Sequence, residues 1–217
     1  MKVSLIIPTM NESGAIRGVL NNIPRDIVDE VIIVDGYSTD GTVEIANQLG
    51  YKVIFQEGKG YGNAVKTGVK YASGDVVVLI DADEGYNLSD IPKLIGRLNE
   101  GYDIAYGSRY LPESGNDDDT WITFIGNKLF TFLLNKVQHV RLSDALFLYI
   151  AARKEVFDKI NMKSTNFEYC IEFPIRAHKA GFRHCEIPSR ENKRLTGKSK
   201  VNAFYDGLRI LWAVLKG

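Results

Sequence analysis

Val76-Val-Val-Leu-Ile80 runs directly into Asp81-Ala-Asp83, and these eight residues decide how the rest of the chain is read. Five apolar residues in a row, mostly β-branched, describe a strand buried on both faces. Such strands belong to parallel sheets covered by helices. An acidic pair at the mouth of a buried strand repels itself and resists desolvation. A divalent cation relieves both problems. Hard carboxylate oxygens suit Mg2+ or Mn2+, which keep waters and bind substrate phosphates as well. The plain alternative is that one aspartate caps the next segment and the other is solvated.

Working outward, short apolar runs alternate with helical patterns. Strands are expected at 2–7, 30–35, 51–55, 75–80 and 102–106, and helices at 12–22, 41–49, 61–72 and 89–99. That alternation predicts an α/β fold with a mostly parallel, Rossmann-like sheet. Ligands then bind beyond the carboxyl ends of the strands. Polar stretches fall at those ends: Pro8-Thr-Met-Asn-Glu12, Asp35-Gly-Tyr-Ser-Thr-Asp-Gly-Thr42, Asp81-Ala-Asp83 and Gly107-Ser-Arg-Tyr110. The opposite edge is expected to carry no comparable set. The second half is less regular. An acidic loop at 112–119 precedes an amphipathic helix at 120–136. A strand is expected at 146–151, helices at 153–160 and 168–180, a strand at 182–187, and an apolar helix from Phe204 to Leu215.

Composition narrows the function classes. The 217 residues are 45% hydrophobic and 25% charged, enough for one globular domain with a full core. Formal net charge is zero, so bulk electrostatics do not argue for nucleic acid. Cys170 and Cys185 lack metal-site spacing and read as reduced core residues of a cytoplasmic protein. The apolar start at 3–8 is too short for a signal peptide, and no run approaches a transmembrane span.

Several loop residues have chemistry of their own. Asn11 and Glu12 stand where a helix begins, so they read equally as ligand groups or as capping. Asp35, ending an apolar strand, is placed to accept from a nucleobase N–H or a ribose hydroxyl. Asp40 reads as a helix cap. Lys59, within Lys59-Gly-Tyr-Gly62, is placed to neutralise a phosphate or simply to be solvated; the stretch is not a full phosphate-binding motif.

Taken in order, Pro8-Thr-Met-Asn-Glu12, Val34 to Thr42, Gly58-Lys-Gly60, Gly74-Asp75, Asp81-Ala-Asp83, Gly107-Ser-Arg-Tyr110, Ser143-Asp144, Glu172-Phe-Pro-Ile-Arg-Ala177 and Arg194 to Lys200 resemble family 2 glycosyltransferases. Within them the chain is most similar to the dolichyl-phosphate mannose/glucose synthase branch. The resemblance covers nearly the whole chain. It implies a GT-A fold and inverting transfer from a nucleotide-sugar with a divalent metal. By position it implies that Pro8, Asn11, Glu12 and Asp35 line the nucleotide pocket and that Asp81 and Asp83 frame the diphosphate, with Asp83 favoured as the direct metal ligand. Arg109 and Arg194 would face phosphate groups, helped by Lys200, with Asp144 and Glu172 on the acceptor side. Residues 1–110 would form the donor half, 111–202 the acceptor half and 203–217 a C-terminal amphipathic helix. Two departures stand out. Asp35-Gly-Tyr-Ser38 replaces the family's frequent Asp-Asp-Gly-Ser, and Glu84-Gly85 stands where Leu-Gln is common after the acidic pair.

The acceptor remains to be chosen. A hydroxyl acceptor needs a general base, for which Asp144 and Glu172 are available. A phosphate monoester is already anionic and needs cations instead, and Arg109, Arg194, Lys198 and Lys200 supply them. The second option, a polyprenyl phosphate, is favoured. A sugar-nucleotide nucleotidyltransferase is the more distant alternative; the Gly-rich, basic loop expected after its first strand is replaced here by Pro8-Thr-Met-Asn-Glu12. Phe204, Leu208, Leu211, Trp212 and Leu215 recur at helical spacing after a basic segment. That pattern fits either a core-packing helix or peripheral contact with the cytoplasmic membrane face.

Overall fold

The computed structural model describes residues 1–194 and 205–217. The expectations for Lys198, Lys200 and Phe204 lie outside the described residues. The chain runs β1 (Val3–Thr9), α1 (Ile16–Asn21), β2 (Glu30–Asp35), α2 (Thr42–Gln48), β3 (Val53–Phe55), α3 (Tyr61–Tyr71), β4 (Val76–Leu79), α4 (Ile91–Asn99), β5 (Ile104–Ser108), β6 (Gly115–Asn116), α5 (Trp121–Gln138), β7 (Ile150–Arg153), α6 (Lys154–Ile160), α7 (Tyr169–Lys179), β8 (His184–Pro188), β9 (Arg190–Glu191) and α8 (Tyr205–Lys216).

Seven strands form one sheet in the order β3-β2-β1-β4-β7-β5-β8. β1 to β4 are mutually parallel, as their continuous apolar runs predict, and every residue of β4 is fully buried. Apolar clusters cover both faces, one built on Ile6, Val34, Val77 and Leu79, the other on Leu5, Ile7, Val76 and Val78. β7 comes from the expected acceptor half yet sits between β4 and β5, antiparallel to both. The two halves therefore share one sheet. The expected strand at 146–151 begins four residues later, at Ile150.

Two further differences bear on the site. The opposite sheet edge is not poor in polar groups. Glu30 accepts from Ser4 and Ser73, Asp29 from the Val3 amide, and Asp75 from the Lys2 amide. These groups satisfy one another and tie the strand starts together. The pairing of β6 with β9 was not expected either. It draws the acidic loop onto the basic segment, with Arg190 forked onto Asp117 at 2.8 and 3.0 Å. α5 starts in a capping box made by Thr120 and Thr123 and stops at His139, whose φ is +60°.

Candidate active site

Beyond the ends of β1, β3 and β4 lies a cleft of about 500 Å3, lined by Pro8, Thr9, Asn11, Glu12, Gln56, Tyr61, Asp81, Asp83, Phe167 and Arg194. β4 ends at Leu79, so the buried strand delivers the two aspartates to the cleft floor. Asp81 accepts from Tyr61 Oη at 2.8 Å and from Tyr86 Oη at 3.1 Å. Desolvation, with the Asp83 charge adding to it, pushes the Asp81 carboxyl up to about 7, against the opposing hydroxyls. Asp83 accepts from the Gly85 amide at 3.0 Å and pairs with Arg194 Nη2 at 2.6 Å. Arg194 is the only basic residue lining the cleft among the described residues.

The donor set fits a divalent cation bound in part by substrate. Two oxygen-bearing carboxylates converge, and the cost of ionising Asp81 beside Asp83 is one that a cation removes. No cluster of three or more acidic, histidine or cysteine ligands exists among the described residues. The remaining coordination would then fall to phosphate oxygens and water, as Mg2+ commonly prefers.

The structure separates the other expected residues. Pro8, Asn11 and Glu12 line the cleft. Asp35 is fully buried, and its carboxylate accepts from Thr9 Oγ1, Ser38 Oγ and the Ser38 amide, so it shapes the loop that carries Tyr37 and Ser38. Asp40 accepts from the Ser13 and Thr42 amides and ties the first two loops together, one residue before the helix cap position it was expected to fill. Lys59 is exposed and outside the cleft lining; its neighbours Gly60 and Tyr61 are inside it.

Arg109 and Asp144 are not independent groups. They are 8% and 1% exposed. Arg109 Nε and Nη2 fork onto Asp144 at 2.7 and 2.9 Å, while Nη1 reaches Glu191 at 2.8 Å. Every guanidinium nitrogen is engaged, and Asp144 is closed to solvent, with both carboxylate oxygens held by Arg109. Glu172 stands away from the cleft. It accepts from the Lys163 and Ser164 amides and pairs with Arg176. Burial pushes its carboxyl up, but the Ser164 and Lys163 hydrogen bonds and Arg176 outweigh this and leave it below the usual range. Glu172 thereby anchors the loop of residues 163–167.

That loop explains the glycines around Tyr61. A Cβ on Gly60 would stand 2.4 Å from the Thr165 carbonyl oxygen, and one on Gly62 would stand 2.7 Å from that of Ser164. Gly60 also has φ +94°, which favours glycine. The bare backbone lets the loop approach, Phe167 stack on Tyr61 at 5.1 Å and the Asn63 amide donate to Thr165. Tyr61, Tyr86, Phe167 and Glu191 were not anticipated. Tyr61 follows Lys59-Gly60 directly, so its place beside the expected loop was the one available signal.

Residues 4–161 match Glycosyl transferase family 2. The chain belongs to this family. Family membership sets aside the nucleotidyltransferase reading and makes the protein a glycosyltransferase. It is 33% identical over 217 residues to a dolichyl-phosphate hexose transferase of Haloferax volcanii, covering 99% of this chain and 92% of the relative. It is 31% identical over 205 residues to an uncharacterized glycosyltransferase of Mycobacterium tuberculosis, covering 94% and 92%. Among solved structures it is similar to glucosyl-3-phosphoglycerate synthase of Mycobacterium tuberculosis in complex with Mn2+, UDP and glucosyl-3-phosphoglycerate. The TM-score is 0.82, at 21% identity over 99% of this chain and 79% of that one. This likeness shows a shared GT-A fold.

Proposed function

We propose that this glycosyltransferase moves a sugar from a UDP- or GDP-linked donor to a polyprenyl phosphate, with Mg2+ or Mn2+ held by Asp81 and Asp83. The observation that carries the acceptor is the state of the expected bases. Asp144 is locked on Arg109 and Glu172 is spent on a loop. A hydroxyl acceptor needs a base that neither supplies, whereas a phosphate acceptor is already an anion. The dolichyl-phosphate hexose transferase among the relatives supports the same choice. The rival, a hydroxyl acceptor, draws support from the solved synthase, whose complex carries a glucosylated phosphoglycerate. The Mn2+ and UDP in that complex support a metal-dependent donor site.

In this reading Pro8, Asn11 and Glu12 border the nucleotide, and Tyr61 and Tyr86 hold the Asp81 carboxylate in place by donating to it. The bound cation supplies Lewis-acid stabilisation of the departing diphosphate. Arg194, which borders the same cleft and pairs with Asp83 at 2.6 Å, would offer a positive charge for phosphate oxygens. Arg109, Asp144 and Glu191 form a buried ion-paired cluster outside the cleft lining that ties β5, the segment before β7 and β9 together. The test is transfer of labelled sugar to polyprenyl phosphate by wild type and Arg194→Ala. Organic-phase label lost in the variant, with nucleoside diphosphate binding retained, supports the proposal. Equal turnover in the variant refutes the role of Arg194, and label appearing only on hydroxyl acceptors refutes the acceptor.

A further inference from the structure

Asp35, placed by the sequence to accept from a nucleobase N–H, is withdrawn from that task by the fold. It is fully buried, and its carboxylate is occupied by Thr9 and Ser38. The next position, where the family frequently has a second aspartate, is Gly36. Neither residue is part of the cleft lining. A donor base entering the cleft therefore needs another acceptor for its ring N–H.

Gln56 stands in the space that Gly36 leaves. It directly follows β3, lines the cleft and is 8% exposed. A Cβ on Gly36 would stand 3.2 Å from Gln56 Oε1 and 3.4 Å from the Thr9 carbonyl oxygen. A carboxylate at position 36 would thus crowd the amide oxygen and repel it. Two hydrogen bonds fix Gln56. Its backbone N–H donates to the Asp35 carbonyl at 3.0 Å, and Nε2 donates to the Gly58 carbonyl at 3.0 Å. A carbonyl takes only a donor, so the nitrogen end of the side-chain amide is assigned and the oxygen end is left over. Oε1 accepts from no donor among the described residues. A nearly buried acceptor left open in a cleft wall is costly unless a ligand completes it.

Backbone strain falls at the same place. Tyr37 has φ +66°, a conformation that a bulky side chain rarely adopts. Its ring stacks on Phe55 at 5.2 Å, and its hydroxyl donates to the Gln56 carbonyl at 3.5 Å. The strained turn is braced against the two residues that carry the open amide.

We infer that Gln56 Oε1 reads the base of the donor nucleotide by accepting its ring N–H, and so selects uracil or guanine over cytosine or adenine. The inference rests on the donor reading of the cleft and adds the residue that chooses the base. Uracil N3 and guanine N1 each carry a proton that Oε1 can accept. Cytosine N3 and adenine N1 carry a lone pair instead, which would face the lone pairs of Oε1. Tyr37 and Phe55 act as positioning residues that hold the Gln56 backbone.

The test is titration calorimetry on the whole chain with Mn2+, comparing UDP with CDP and GDP with ADP. The members of each pair share ribose and diphosphate and differ at the base edge. The wild type should favour UDP over CDP, or GDP over ADP, by about tenfold or more. Gln56→Leu should bring that ratio to about one, by weakening the preferred diphosphate and leaving the other unchanged. A merely structural glutamine would weaken both members alike. The wild-type ratio needs no variant, so an unfolded Gln56→Leu protein leaves the test standing. Wild-type binding without preference overturns the inference. So does a preference that survives Gln56→Leu, or a loss shared equally by both members. Failure of all four diphosphates to bind overturns the donor reading itself, and this inference with it.

Discussion

Replacing Asp144 by Asn separates two incompatible roles for this residue. As a general base, Asp144 would be dispensable for folding and its loss would silence turnover alone. The geometry instead makes it the forked partner of a buried arginine, at 2.7 and 2.9 Å, with 8% and 1% of the two residues exposed. Breaking a buried pair by removing one partner costs about 3–5 kcal/mol, because the other charge is stranded. Glu191, 2.8 Å from Arg109, still neutralises part of that charge, so the low end, about 3 kcal/mol, is expected. For a chain of this size each kcal/mol moves the thermal midpoint by roughly 2–4 °C, giving a fall of about 6–12 °C. Scanning calorimetry measures it. The double variant Arg109→Met with Asp144→Leu should be less destabilised than the two single variants summed. An Asp144→Asn protein with a wild-type midpoint and no transferase activity would refute this reasoning and restore the base.

Two further perturbations probe the cleft. Asp81 is raised from the usual carboxylate range to about 7, so its ionisation costs the fold nothing below about pH 4, increasingly more up to pH 7, and a constant amount above. Asp81→Asn should therefore stabilise the metal-free protein by on the order of 4 kcal/mol at pH 8, with the gain fading towards pH 4, while cation-dependent nucleotide binding is lost; a gain that instead grows in acid would contradict the assignment. Gly62→Val should push the loop of residues 163–167 off the cleft, since a Cβ there already meets the Ser164 carbonyl oxygen at 2.7 Å. Overpacking of about 1–3 kcal/mol should weaken nucleoside diphosphate affinity by roughly tenfold in calorimetric titration, and an unchanged Kd would show that the loop does not shape the site.

What was legible in the sequence follows from local periodicity. Buried parallel strands write continuous apolar runs, so β1, β2 and β4, and a cleft beyond the ends of β1 and β4, could be placed from the residues alone. The placing of Asp81, Asp83, Pro8, Asn11 and Glu12 at one sheet edge came the same way, aided by the family's motif order; Arg194 was expected from that order alone, on the acceptor side, and the fold brings it to the same cleft. What escaped depends on partners far apart in the chain. Arg109, Asp144 and Glu191 look like three separate polar residues, and only the fold brings 109, 144 and 191 into one buried cluster. Glu172 reads as an acid beside a site, yet its oxygens are taken by backbone amides eight and nine residues upstream. β7 was shifted because the residues before Ile150 are apolar for another reason: Phe147 and Tyr149 pack on Tyr86. α5 was read as amphipathic without a face, since periodicity tells that two sides differ but not which of them a neighbour covers.

The central claim is that Asp81 and Asp83 hold a nucleoside diphosphate through a divalent cation, and thermal denaturation tests it most directly. UDP or GDP at a hundred times its Kd should stabilise the protein by about 2.7 kcal/mol, a rise of roughly 5–11 °C, when Mn2+ or Mg2+ is present. The rise should vanish with EDTA and in Asp83→Asn. An equal rise with EDTA, or in that variant, would contradict the claim.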